Sequence, residues 1–207
     1  PYQTASGSAD IMMHTLERFF HSGEGLTLTD DLSVSLLKSV MAYTPIALSD
    51  PKNYEARANL MWAGSLSHNG LMNMGSDSRG DWACHQMEHE LSAKYDCPHG
   101  AGLTAIWGSW ARYVFPSIKE RLVILGEKLF SLEGESDEVA EKTIDEMEKF
   151  FSSISMPVTI KELGIELSEE DIESLSLGAT FHGKRTLGDS FRLGGKEISD
   201  IYRMARS

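Results

Sequence analysis

Residues 82–115, "WACHQMEHELSAKYDCPHGAGLTAIWGSWARYVF", decide the fold class. The stretch reads as two helices, 82–96 and 98–115, separated by the break at Cys97-Pro98. Pro98 suits the first turn of the second helix, where a missing N–H leaves nothing unpaired. The same segment holds His85, His89 and His99, three of the chain's seven histidines. It therefore raises a question of chemistry as well as of fold.

Helical periodicity continues on both sides. The segment 8–20 spaces Ile11, Leu16, Phe19 and Phe20 at helical intervals, with Ser8 as the expected N-cap. A helix from Thr29 to about Leu48 begins with acidic residues, which suit the positive end of the helix dipole, and stops before Asp50-Pro51. Residues 53–74 are mostly apolar and predict a long helix buried on several sides, followed by a loop over 75–81. Further helices are expected at 117–131, 136–154, 168–177 and 195–206, with 178–195 glycine-rich and irregular. No alternation of β-branched residues persists, and no repeat or low-complexity tract occurs. The expected fold is all-α, one helical bundle over residues 1–207.

Composition narrows the functions. A chain of 207 residues with 41% hydrophobic content can bury a real core. Its net charge of −12 argues against nucleic acid and against an anionic membrane surface as partners. The two cysteines, Cys84 and Cys97, form neither a disulfide framework nor a thiolate zinc knot, and fit reduced thiols in a cytoplasmic protein. No uninterrupted apolar run reaches the ~18–20 residues of a membrane span, and no signal peptide opens the chain. Neither GxGxxG nor GxxxxGK[ST] is present, so residues 1–207 carry no dinucleotide-binding glycine motif of their own. The opening at Pro1, running straight into a helix, suggests a piece of something longer.

Residues four apart on a helix share a face, so Asp10 with His14 and His85 with His89 are natural donor pairs, and His99 can fold back after the helix break. Three histidines and one aspartate would suit Fe2+ or Zn2+. The same residues also spell HxxEH, His85 to His89, an inverted-zincin pattern in which both histidines bind zinc and Glu88 activates water. Spacing alone leaves the two chemistries level, beside a third reading as a helical interaction module without chemistry. His21, His68 and His182 read as surface or packing residues, and Trp62, Trp82, Trp107 and Trp110 as core.

A family resemblance separates these readings. "DWACHQMEHELSAKYDCPHGAGLTAI" (81–106) resembles the second signature of the iron-containing alcohol dehydrogenases, in their butanol dehydrogenase and broad-range aldehyde reductase branch. "SADIMMHTLERFF" (8–20) and "NYEARANLMWAGSLSHNGL" (53–71) are similar to the stretches that precede it in that family. The resemblance implies that Asp10, His14, His85 and His99 hold one divalent metal, Fe2+ or Zn2+. It makes His89 a catalytic, non-ligand histidine close to the nicotinamide of NADH or NADPH. It further implies the C-terminal helical half of a two-domain, dehydroquinate-synthase-like enzyme that interconverts small primary alcohols and aldehydes. The N-terminal α/β nucleotide-binding domain would then be the chain's own partner, and apolar surface left exposed could drive self-association into a homodimer.

Overall fold

A computed structural model describes residues 1–21 and 26–207, and its first helix starts where the chain offers packing rather than where it offers a cap. Helix α1 spans Tyr2–Phe19, with Pro1 at its N-cap. Ser8, the expected cap, instead lies inside the helix at 2% exposure. Ala5, Ser6 and Ala9 are buried on the same helix, and this tertiary packing carries it through Gly7, whose interior cost is only about 1 kcal/mol.

Helix α2 (Thr27–Ser49) ends before Asp50-Pro51, as expected. An 18-residue window in it has mean hydropathy 1.3, long and apolar enough to cross a membrane by length and composition alone, although Asp30, Asp31 and Lys38 keep any uninterrupted apolar run short, as expected from the sequence. Serine and threonine interrupt its apolar runs without lowering the average far. Val34, Leu36, Leu37, Val40 and Ala47 are its buried apolar residues, and the helix packs on α1 and its successor.

Helix α3 (Tyr54–His68) is capped by the Asn53 side chain, which accepts from the Ala56 amide at 3.0 Å. It stops well short of residue 74. Gly70 lies at φ +85, a left-handed turn that ends the helix, and a single 3-10 turn, Leu71–Asn73, follows. Nor is α3 buried on several sides: Met61 is 75% and Trp62 65% exposed, which removes Trp62 from the core. Trp107 and Trp110 do lie in the core, while Trp82 is only half-buried.

The decisive stretch forms α4 (Ala83–Tyr95) and α5 (His99–Tyr113), with Asp96 at φ +52 ending the first and Pro98 capping the second. Helix α6 (Phe115–Leu125) runs into a π-helical turn at Gly126–Phe130 and is followed by α7 (Ser136–Ser153). Helix α8 (Glu169–Ala179) opens with a Ser168/Asp171 capping box, and α9 is Gly195–Ala205. Between these two, one isolated bridge pairs Leu187 with Leu193, and no strand occurs among the described residues.

Two helices organise the packing. Helix α1 touches α2, α3 and α5, and α5 in turn touches α4, α7 and α9. Gly100 lets them meet closely, because a Cβ there would run into the carbonyl oxygen of Ser6. A Cβ at Gly102 would meet the Glu88 carboxylate. The His-Gly-Ala-Gly start of α5 thus sets its first turn against α1 and leaves room for an acidic side chain from α4.

Candidate metal centre

The middle of α1 meets the end of α3 and the starts of α4 and α5. Asp10 and His14 lie one turn apart on α1, His68 ends α3, His85 and His89 sit early in α4, and His99 begins α5. Asp10 Oδ1 is 3.6 Å from His14 Nε2, 3.7 Å from His85 Nε2 and 3.5 Å from His99 Nε2. Donors about 2.1 Å from one tetrahedral ion stand about 3.4 Å apart, so the three separations from Asp10 fit a divalent cation. The ligand atoms within 4.8 Å of one another form two sets that share Asp10, one with His85 and His99 and one with His14 and His68. Asp10 Oδ1 and His85 Nε2 are also buried with no hydrogen-bond partner. Buried polar atoms are rarely left so, and a cation between them would satisfy both. The donor set, hard carboxylate plus imidazoles, suits Fe2+ and Zn2+.

Two buried carboxylates fix the imidazoles. Glu17 is fully buried; it accepts from His85 Nδ1, from the Cys84 amide at 2.7 Å and from the His85 amide at 3.3 Å. It thus places negative charge on the N-terminus of α4 while turning the His85 ring. Glu88, also fully buried, accepts from His99 Nδ1 and from Ser92 Oγ. Because carboxylates only accept, each Nδ1 keeps its proton, and it is Nε2 of each ring that turns inward and offers a lone pair once the ring is neutral. His14 differs: its Nδ1 faces Arg18 Nη1 at 3.3 Å, and a guanidinium only donates. Its proton therefore sits on Nε2, toward Asp10, and ligation by His14 requires that proton to move.

Charge follows the same arrangement. Burial alone would lower the His85 imidazolium, but Asp10 and Glu17 outweigh it and raise its pKa to about 9. Burial and the adjacent His85 push His14 down to about 3. Burial would raise Asp10, yet His85, His14 and His99 bring its carboxyl below the usual value. His89, lowered by burial and then by His99, is exposed on α4 and stacks on His99 at 5.5 Å between ring centroids. Beside Asp10 and His99 opens a cleft of about 430 Å³ that Gln3, Ser6, Gly7 and Asp96 also line.

The remaining expectations divide. Glu88 is committed to His99 and Ser92, which leaves it badly placed to activate water as an inverted zincin requires. His21 is buried, and His182 is exposed in a left-handed turn. His68 is no bystander: its ring lies 3.8 Å from that of His14 and its Nε2 3.7 Å from Asp10 Oδ2. Glu17 was unread in the sequence and Glu88 was read only as a water activator, although each follows a site histidine by three residues and so shares its face.

The model of the Fe-containing alcohol dehydrogenase family, C-terminal, matches residues 4–206. NADH-dependent butanol dehydrogenase A of Clostridium acetobutylicum is 35% identical over 97% of this chain and 51% of its own length. The NADPH-dependent aldehyde reductase YqhD of Escherichia coli is 28% identical over 100% of this chain and 52% of its own. The crystal structure of NADH-dependent butanol dehydrogenase A from Thermotoga maritima superposes with a TM-score of 0.93 at 31% identity, covering 100% of this chain and 52% of that one. The chain thus spans about half the length of these relatives.

Proposed function

The chain belongs to the Fe-containing alcohol dehydrogenase family, and from that premise we propose that it is the metal-holding part of an NAD(P)H-linked alcohol dehydrogenase or aldehyde reductase. Its substrates are small primary alcohols and aldehydes, the chemistry named in the relatives' descriptions. Asp10, His14, His85 and His99 hold one Fe2+ or Zn2+, and the enzyme works in the cytoplasm. The observation that carries the reading is one carboxylate oxygen, Asp10 Oδ1, with three imidazole Nε2 atoms at 3.5–3.7 Å.

When bound, the metal supplies Lewis-acid polarisation of an alcohol or aldehyde oxygen. The chain's own residues do the rest. Glu17 and Glu88 hold the His85 and His99 rings through Nδ1, so the donor geometry is set before substrate arrives. One carboxylate with three neutral imidazoles leaves a divalent ion only partly neutralised. His89, exposed one turn beyond His85 and with its pKa lowered, is free to take the hydroxyl proton in alcohol oxidation and return it in aldehyde reduction. The cleft beside Asp10 and His99 receives the substrate. The nicotinamide, from NADH or NADPH, supplies the hydride and is held by sequence outside residues 1–207, since these carry no phosphate-cradling glycine motif.

Asp10→Asn tests the reading. Metal content after dialysis against Fe2+ or Zn2+ is expected to fall from about one ion per chain to a small fraction of one, because a neutral amide is a poorer donor for a divalent ion. A chain completed to the relatives' length is expected to lose butanal reduction with the same substitution. Retained metal in Asp10→Asn would end this assignment.

A further inference from the structure

We propose that His68, at the last turn of α3, is a fifth protein donor to the cation centred on Asp10. The inference rests on the metal-centre reading above and adds to it a ligand from a fourth helix.

The tautomer argument that qualifies His85 and His99 qualifies His68 equally. Its Nδ1 lies 2.9 Å from the carbonyl oxygen of Gly64 and 2.8 Å from Ser67 Oγ. The carbonyl can only accept, and Ser67 Oγ spends its own proton on that same carbonyl at 2.9 Å. Nδ1 therefore carries the ring proton, and the neutral ring presents a bare lone pair at Nε2. That lone pair faces Asp10 Oδ2 at 3.7 Å. A cation between the two would satisfy both atoms, as would a proton on Nε2, and binding of Co2+ tells the two cases apart.

The surroundings agree. Asp10, His14 and His68 bring one ligand atom each within 4.8 Å of one another, as do Asp10, His85 and His99. Asp10 belongs to both triads: Oδ1 faces the rings of His14, His85 and His99, and Oδ2 faces His68. At 45% exposure the His68 side chain is the most open of the five. As the most exposed donor it is also the one best able to give way to an incoming substrate oxygen.

Co2+ as the probe tests this on the chain of residues 1–207. Wild type is expected to bind one Co2+ with the weak visible bands of a five-coordinate ion. His68→Ala and His68→Gln should each bind one Co2+ with bands several times more intense, as coordination falls to four, and with at least about tenfold lower affinity. Thermal unfolding of the metal-free variants separates helix damage from donor loss, since only the Co2+-induced stabilisation should shrink. Spectra and affinities that superimpose on wild type would overturn the role of His68 while leaving the centre intact. Two Co2+ per wild-type chain and one per variant would also overturn it, by giving His68 an ion of its own. Failure of the wild type to bind Co2+ at all would remove the metal-centre reading together with this one.

Discussion

Glu17 shows how one side chain serves folding and chemistry at once. It has no contact with solvent, holds the His85 ring and accepts the first amides of α4. Glu17→Gln keeps an acceptor for the amides but loses the charge that fixes the imidazole. Metal affinity should fall about 10–100-fold, and denaturant unfolding should register a loss of about 1–3 kcal/mol. His85 sets the pH dependence. With its folded pKa raised to about 9, its ion pairs stabilise the metal-free chain fully below its ordinary value of 6.5 and fade as pH climbs through about 9. A cation must displace that proton, so affinity should rise about tenfold per pH unit from 7 toward 9 and then level off. Calorimetry in two buffers of different ionisation enthalpy should report about one proton released at pH 7.5; a buffer-independent heat would contradict this. Asp10, His14, His85 and His99 were singled out by the family resemblance, since spacing alone left them level with an inverted-zincin set; the structure brings all three imidazoles within 3.7 Å of the Asp10 carboxylate. Glu17 was legible only in register, and Glu88 only in the wrong role, as a water activator rather than the partner of His99. A glutamate on a helix normally faces water, and nothing in one sequence says that another helix will cover it.

Among the elements, the join of α1 to α5 carries the most weight. Gly100 has the Ser6 carbonyl where its Cβ would be, whereas Gly70 has open space around it and an unusual φ of +85. Gly70→Ala should therefore cost about 1 kcal/mol, the strain of a left-handed alanine. Gly100→Ala must push two backbones apart and should cost upwards of about 2 kcal/mol in urea unfolding, with metal affinity falling alongside. Equal costs at the two positions would mean that α5 can move away from α1 freely. Helix identity was readable throughout, because a period near 3.6 repeated in every segment. Helix ends were less so. Ser8 has the chemistry of a cap but lies mid-helix, since residues 2–7 find partners to pack on that the local sequence does not reveal. Asn69-Gly70 stops α3 within an apolar stretch, and apolar composition had masked that turn.

At the scale of the whole molecule, apolar content did not specify which surfaces the chain covers for itself. Trp62 and Met61 read as core and stand in solvent on α3. The all-α class was legible from periodicity and from the lack of strand alternation; the outward face of α3 was not, because its burial is decided by what lies opposite. Residues 1–207 alone should bind one divalent ion yet show no NADH or NADPH oxidation with butanal, measured by loss of nicotinamide absorbance. Turnover by this segment alone would place nucleotide binding within it and refute the division of labour proposed here. The tight seat of Gly100 on α1 has a last consequence, for ion size. Asp10 and His99 are spaced by main chain against main chain, not by adjustable rotamers, so the cage cannot dilate cheaply. A bulkier cation such as Cd2+ would have to wedge two helices apart to enter, and the protein would discriminate by radius through its skeleton.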